Sequence, residues 1–177
     1  GVDYPGEASG SIAPKNEWST VQGYNISFGQ GLTTTPIEMV RFYGALANDG
    51  VACTPHFLTD VPSESERRSY ETAQITDNAG AISDLESMMQ QTVERGTATD
   101  AQIKGYRVVG KTGTAERLRD NGAGYDPGRY IASFVGFGPL EDIQLAGLVV
   151  IDSPRGLYYG GEIAAPVFAE AMTQIVR

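Results

Sequence analysis

The sequence has few of the residues that build metal sites and disulfides. Its 177 residues include one cysteine, Cys53, and one histidine, His56. A single cysteine cannot form an internal disulfide, and this pair falls short of the three or four ligands that a zinc site needs. We therefore predict no metal site and no cofactor, and we interpret Cys53 as a small buried thiol near a surface imidazole.

Long hydrophobic runs and an excess of positive charge are missing as well. The longest apolar runs, residues 145–151 and 164–169, are far shorter than the roughly 20 residues of a membrane-spanning helix. The 13 basic and 22 acidic residues give a net charge of -9, which repels nucleic-acid phosphates, so we predict no nucleic-acid partner. An apolar content of 41% predicts one globular domain or part of one, and the start at Gly1 suggests a piece of a longer protein.

Residues 1–104 are predicted to form a lead-in and helical part. Residues 1–31 are rich in Gly, Pro and Ser and lack sustained periodicity, which predicts an irregular segment. Apolar residues at helical spacing predict one helix from Thr35 to Asn48 and another from Asp77 or Asn78 to Gly96. Between these helices, residues 51–58 are β-prone and residues 62–72 resemble a charged surface connection.

Residues 105–177 are predicted to form a sheet and a closing helix. The β-prone stretches are residues 106–113, 130–138 and 143–152. The second stretch is apolar on both faces, as is typical of a central strand. Pro166 lies early in an apolar helix suited to packing on the sheet. The predicted fold class is α+β, with an antiparallel sheet of at least three strands, flanking helices and a C-terminal helix packed on the sheet.

Residues 105–112 match the phosphate-loop pattern G-x-x-x-x-G-K-[ST]. That loop must follow a buried strand and open a helix whose N-terminus faces the phosphates. Here residues 99–104 make a poor buried strand, the variable positions are β-formers, and Gly113 and Thr114 follow where a helix should start. We therefore favour a strand, with nucleotide binding as the weaker alternative.

As a strand, the same residues place Lys111, Thr112, Gly113 and Thr114 at its end, before a Gly-rich loop over residues 117–129. An ammonium supplies positive potential, hydroxyls can donate to a carboxylate, and glycine allows close approach of a backbone. This combination suits an anionic, extended ligand, although four residues alone do not exclude an ordinary polar strand end.

The run from Lys111 to Thr114, followed by Ala115 and Glu116, resembles the K-T-G box of penicillin-binding proteins and serine β-lactamases. Further segments resemble the transpeptidase domain of class B penicillin-binding proteins, in the family's order and over nearly the whole chain. They are residues 4–7, 25–31, 35–36, 45–48, 95–98, 105–108 and 132–137.

In this family, a serine in an S-x-x-K motif attacks the D-alanyl-D-alanine end of a peptidoglycan stem peptide and forms an acyl-enzyme. Neither S-x-x-K nor the accompanying S-x-N occurs here; the residues three before the lysines are Ile12, Ala101 and Val108. The resemblance therefore implies the C-terminal part of a transpeptidase domain, inactive alone.

The resemblance also assigns roles to the K-T-G residues. Lys111 would tune the field around the missing serine and lysine, and the backbone N–H of Thr114 would be one oxyanion-hole donor, so Lys111 and Thr114 are the implied catalytic residues. Thr112, Gly113 and Thr114 are the implied substrate-binding residues, with the two hydroxyls holding the carboxylate of the substrate or of a β-lactam.

The implied partners are the D-Ala-D-Ala stem peptide, and β-lactams once the upstream half completes the site. Cutting the family's sheet here exposes the edge of the strand at residues 143–152, so we expect that edge to pair with the N-terminal half of the same protein or with a second copy. The implied location is the extracytoplasmic face of the bacterial membrane, with an anchor preceding this chain. The alternatives are a D,D-carboxypeptidase or other serine acyl-transfer relative, and a non-catalytic module that binds stem peptides or a partner.

Overall fold

The structure is a computed structural model that describes residues 2, 4–58, 69–122 and 124–176. Helices and strands are separated along the chain into a mainly helical first half and a β-rich second half. The helices are α1 (Thr20–Ser27), α2 (Pro36–Leu46), α3 (Ala79–Arg95), α4 (Gly160–Ile163) and α5 (Ala165–Ile175), and the strands are β1 (Val51–Cys53), β2 (Thr72–Gln74), β3 (Val109–Leu118), β4 (Tyr125–Gly138) and β5 (Leu145–Asp152).

The main sheet has three antiparallel strands in the order β3-β4-β5. Gly110 pairs with Gly136, which pairs in turn with Gly147. A two-stranded antiparallel ribbon of β1 and β2 lies apart from this sheet. Because β4 is central, β3 and β5 are the two edge strands of the sheet over the described residues.

Helices cover both faces of the main sheet. On one face, Phe134 packs with Phe168 and Met172 of α5 in a buried apolar cluster. On the other face, Phe137 and Val109 pack with Leu46 of α2. Helix α3 contributes to both clusters, through Val93 to the first and Met89 to the second. The predicted α+β class, the central second strand and the closing helix on the sheet are confirmed.

A row of three glycines explains how α5 packs so closely. Gly110, Gly136 and Gly147 are in register across the sheet, on the face that carries Phe134. A Cβ at Gly110 would overlap the Phe134 ring, and one at Gly147 would lie 3.2 Å from the ring of Phe168. The glycines thus form a trough in which the two rings pack edge to face, with centroids 4.8 Å apart.

Side-chain caps fix the starts of the long helices. The Thr35 hydroxyl accepts from the Glu38 N–H, and the Glu38 carboxylate accepts from the Thr35 N–H, which completes a capping box. The Glu38 carboxylate accepts from the backbone N–H groups of Thr35 and of Gly10, and these two hydrogen bonds, that from Thr35 first, hold its pKa below the usual value. The Asn78 side chain accepts from the Ala81 N–H at 3.0 Å and caps α3.

The first half of the chain departs from the sequence prediction at several points. The segment 1–31, expected to be irregular, contains α1, in which the apolar residues Val21 and Tyr24 are exposed and no residue is buried, so the helix has no amphipathic pattern of burial. The β-prone stretch 51–58 forms a strand only to Cys53, and Cys53 is exposed, not buried. Of the predicted connection 62–72, residues 62–68 lie outside the described residues and Thr72 begins β2.

The glycine row predicts a steric effect. Gly110→Ala is expected to destabilise the fold by about 1–3 kcal/mol, because its Cβ would overlap the Phe134 ring and lie 2.6 Å from the Val135 carbonyl oxygen. Gly44→Ala is the matched control, since a Cβ there meets nothing within 4 Å and α2 should gain about 0.5–1 kcal/mol. Urea denaturation of both variants measures the difference; equal stabilities would contradict the packing described.

Candidate active-site strand

The four residues of the K-T-G box lie inside β3 and not at its end. Lys111 pairs with Val135, Thr112 with Phe134, Gly113 with Ser133 and Thr114 with Ala132. The predicted strand 106–113 therefore starts three residues too early and ends five too soon. Strand β3 is longer than predicted because β4, its partner, begins earlier than expected and pairs with it as far as Leu118. The register of this pairing shifts between Glu116 and Leu118.

The backbone after Thr112 contradicts the phosphate-loop alternative. A phosphate loop opens a helix at this point, whereas here the chain continues as a paired strand through Leu118. The preceding residues form a short turn, with Gly105 at a φ of +91°, and not the strand that such a loop follows. The match to the pattern is therefore a coincidence of residue types.

The Lys111 side chain brings its charge to the open edge of β3. Side chains alternate across a strand, so Lys111 and Thr112 lie on opposite faces of the sheet. The Lys111 ammonium nevertheless donates to the Thr112 carbonyl oxygen at 2.7 Å and lies 3.4 Å from the Thr112 hydroxyl. Atoms from opposite faces can meet in this way only around the strand's edge. The positive charge and a hydroxyl thus lie side by side at an edge where, over the described residues, no neighbouring strand intervenes.

The hydroxyls of Thr112 and Thr114 are held by groups from other elements. The Thr114 hydroxyl accepts from the backbone N–H of Gly160 at 3.1 Å. The Thr112 hydroxyl lies 2.9 Å from that of Thr97, which follows α3 in the sequence. A hydroxyl has one proton and two lone pairs, so the Thr114 proton stays available to an outside acceptor.

The start of α4 approaches β3 so closely that only glycine fits. A Cβ at Gly160 would overlap the carbonyl oxygens of Gly113 and Ser133, and one at Gly161 would overlap that of Thr97. The residues before this pair are held by aromatic contacts, with the Tyr130 and Tyr158 rings stacked at 4.2 Å. The segment that supports the threonines is therefore itself fixed in place.

Arg107 and Arg117, at the two ends of β3, form ion pairs with acids, whereas Lys111 forms none with the described part of the chain. Arg117 contacts Asp120 at 2.8 Å and Asp152 at 3.3 Å, which links β3 to the end of β5. Arg107 pairs with Glu141 at 2.6 Å. Among the residues that the structure describes, no carboxylate forms an ion pair with Lys111. Its charge is therefore available to a ligand.

Within the described ranges 2, 4–58, 69–122 and 124–176, no group of three or more His, Cys, Asp or Glu side chains is placed to hold a metal ion. No described helix is both long and apolar enough to cross a membrane.

Comparison with known proteins places this strand in a defined class of domain. Residues 1–173 match the family model described as the penicillin binding protein transpeptidase domain. The chain belongs to this family. The resemblance inferred from the sequence is thus confirmed, as is the partial transpeptidase fold.

Individual relatives and solved structures are similar to this chain over nearly its whole length. The chain is 35% identical over 175 residues to the peptidoglycan D,D-transpeptidase FtsI of Escherichia coli, covering 97% of this chain and 28% of FtsI. It superposes on the transpeptidase domain of Burkholderia pseudomallei penicillin-binding protein 3 with a TM-score of 0.84 and 29% identity, covering 100% of this chain and 52% of that one. For Mycobacterium tuberculosis penicillin-binding protein 3 complexed with aztreonam, the TM-score is 0.84 at 28% identity, covering 97% and 41%.

The chain spans less than a third of the length of the relatives it matches, such as the FtsI of Escherichia coli. The sequence analysis singled out the K-T-G residues, whose roles stay a prediction, but not the residues that contact them, Thr97, Gly160 and Gly161. The adjacent glycines just before the predicted closing helix were the available signal, because paired glycines often mark a close backbone approach. Nothing local in the sequence marks Thr97, which only the fold brings to Thr112.

The charge network at the end of β3 predicts a titration effect. The Ser153 hydroxyl, which donates at 2.7 Å, and then the Arg117 guanidinium hold the pKa of Asp152 below its usual value. Because this pKa is lower in the folded state, the ionised Asp152 stabilises the fold at any pH above the unfolded-state pKa of about 3.9. That stabilisation is lost as the pH falls through the folded-state pKa. Ser153→Ala and Arg117→Gln should each raise the Asp152 pKa in carboxyl-carbon NMR titrations. Arg107→Gln, which removes a distant ion pair, should leave it unchanged; a shift there instead would contradict this assignment.

Proposed function

We propose that the chain is the C-terminal part of a peptidoglycan D,D-transpeptidase domain and that β3 is its substrate-binding strand. In this proposal the strand holds the terminal carboxylate of a D-Ala-D-Ala stem peptide, or the carboxylate of a β-lactam. The transpeptidase family and the FtsI relative support this assignment. The chain alone is inactive in this proposal, because it contains no S-x-x-K motif to supply the nucleophile.

The observation that carries the proposal is the set of donors at the open edge of β3. The Lys111 ammonium has no carboxylate partner among the described residues and lies 3.4 Å from the Thr112 hydroxyl. The Thr114 hydroxyl, which accepts from Gly160, keeps its proton for another acceptor. A cation and two hydroxyl donors can together hold a carboxylate by charge-assisted hydrogen bonds.

The same edge suits an extended peptide. An unpaired edge strand offers backbone N–H and C=O groups that a peptide can pair with as an added strand. Gly113 has no Cβ, which in this proposal lets the peptide backbone approach the strand closely. The stem peptide would therefore lie along β3, with its terminal carboxylate toward the donors described above.

The chemistry then divides between this chain and the segment that precedes it in the sequence. An upstream serine would attack the peptide carbonyl and form the acyl-enzyme. Lys111 would supply positive potential near that serine, and the Thr114 backbone N–H would be one of two oxyanion-hole donors. A stem-peptide amine that resolves the acyl-enzyme would make the parent a transpeptidase, and water in its place would make it a carboxypeptidase.

The parent protein would act outside the cytoplasmic membrane, where its substrate lies, held by an anchor upstream of this chain. The edge of β5 would pair with a strand from the N-terminal half of the same protein. Strand β5 is apolar over Leu148, Val149 and Val150, as expected for a strand that is covered when the sheet continues.

The assignment predicts the behaviour of a fluorescent penicillin. The 177-residue chain should not be labelled, whereas the longer parent protein carrying an upstream S-x-x-K should be labelled covalently. In the parent, Lys111→Gln should lower the acylation rate about 10- to 100-fold, because a hydrogen bond to a charged group is worth about 1.5–3 kcal/mol. Labelling reactions that are quenched at successive times and read by gel fluorescence measure this rate.

Lys104→Gln is the matched control, since Lys104 is an exposed lysine in the turn before β3. It removes the same charge from the same chain and should leave acylation within twofold. Stable labelling of the isolated chain would show that the nucleophile lies within it, and equal losses in both variants would reduce the role of Lys111 to net charge.

The open β5 edge predicts self-association of the chain when it is studied without the upstream half. Val150 is 44% exposed, and Val150→Lys should shift the chain from dimer toward monomer in analytical ultracentrifugation, because lysine on an edge strand opposes pairing. Val167→Lys places the same charge on α5, where Val167 is 49% exposed, and should leave association unchanged. A wild-type chain that is monomeric at tens of micromolar would refute this use of the edge.

A further inference from the structure

Thr97 contacts Thr112 of the K-T-G box in β3, although the two residues are 15 positions apart in the sequence. Its hydroxyl oxygen lies 2.9 Å from that of Thr112. The Lys111 ammonium lies on the same Thr112 oxygen at 3.4 Å. The Thr112 hydroxyl is therefore placed between a cation from its own strand and a second hydroxyl from the segment after α3.

The backbone around Thr97 is fixed from two sides. On one side, the N–H of Ala98 donates to the Thr92 carbonyl at 3.1 Å, and Ala98 is fully buried. On the other side, Gly161 approaches so closely that a Cβ would overlap the Thr97 carbonyl oxygen. Thr97 itself is exposed, so its hydroxyl reaches the surface from a rigid position.

The proton arrangement decides what this contact does. A lysine ammonium only donates, so the Thr112 oxygen accepts from Lys111 with one lone pair. If Thr97 donates to the second lone pair, the single proton of Thr112 is left to point away from the protein. The presence of an anion favours this arrangement, because the anion then receives the Thr112 proton as a charge-assisted hydrogen bond.

We infer that Thr97 is a positioning residue for ligand carboxylates, which donates to the Thr112 hydroxyl and thereby leaves the Thr112 proton to the ligand. The inference rests on the proposed function, since it needs a carboxylate at the edge of β3. It adds a residue outside the K-T-G box to carboxylate recognition. Its effect should depend on the ligand's negative charge and not on the stability of the fold.

The test compares two ligands that differ in charge, using the parent protein that contains this chain and an upstream S-x-x-K. Thr97→Val keeps the shape of the side chain but removes the hydroxyl. It should lower the acylation rate with benzylpenicillin on the order of tenfold and leave the rate with benzylpenicillin methyl ester within twofold. Thr97→Ser should restore the wild-type rate with benzylpenicillin. Thr99→Val is the matched control and should match wild type with both ligands.

The outcomes separate this inference from the proposal beneath it. A wild-type protein that neither ligand acylates would refute the proposed function and the inference with it. An acylated wild type with an unaffected Thr97→Val variant would refute the inference alone. Equal losses with both ligands, or a serine variant as slow as the valine variant, would also refute it, because these indicate a structural role for the side chain.

Discussion

The geometry of the K-T-G strand depends on close backbone approach at glycines on one face of the sheet. Gly110, Gly136 and Gly147 leave room for the Phe134 and Phe168 rings, and this packing fixes α5 against the strands. Because α4 directly precedes α5, the same packing fixes the start of α4, where Gly160 lies against Gly113 and donates to Thr114. Interiors are close-packed and transmit small displacements. A methyl group added at one of these three sheet glycines would therefore displace the hydroxyls of Thr112 and Thr114.

Binding a carboxylate to a chain with a net charge of -9 requires that local charge outweigh the total. Exposed charges are screened beyond about 8 Å at physiological ionic strength, so the acidic surface contributes little at the strand edge itself. What matters there is which cations are already paired. Arg107 and Arg117 are bound to carboxylates, whereas Lys111 contacts hydroxyl and carbonyl oxygens of its neighbour. The arrangement keeps one cation available at short range while the remaining charge only weakens long-range attraction.

The sequence predicts what periodicity and local chemistry determine, and little beyond. Helices α2 and α3 have strong apolar spacing and side-chain caps, and their predicted limits lie within about two residues of those observed. Strand β1 begins with the β-prone stretch 51–58, but its end at Cys53 and the whole of β2 depend on pairing such as Cys53 with Thr72, which no local pattern indicates. The length of β3 was missed for the same reason. In the site, the K-T-G residues form a contiguous motif, but Thr97 and Gly160 reach them only through the packing of α3 and α4.

The two edges of the sheet differ in a way that argues for different partners. The edge of β3 carries an ammonium and hydroxyls whose hydrogen-bonding capacity is only partly used, and such groups gain by meeting a polar, anionic ligand. Strand β5 is apolar beside its edge, and Val150 is 44% exposed there and would gain by being covered. A stem peptide is a small and exchanging ligand, so it would leave an apolar edge exposed for most of the time, and an edge of that kind invites aggregation. A permanent strand from the same protein would avoid that hazard, so the proposal assigns the edge of β5 to the rest of the domain and leaves the edge of β3 to the substrate.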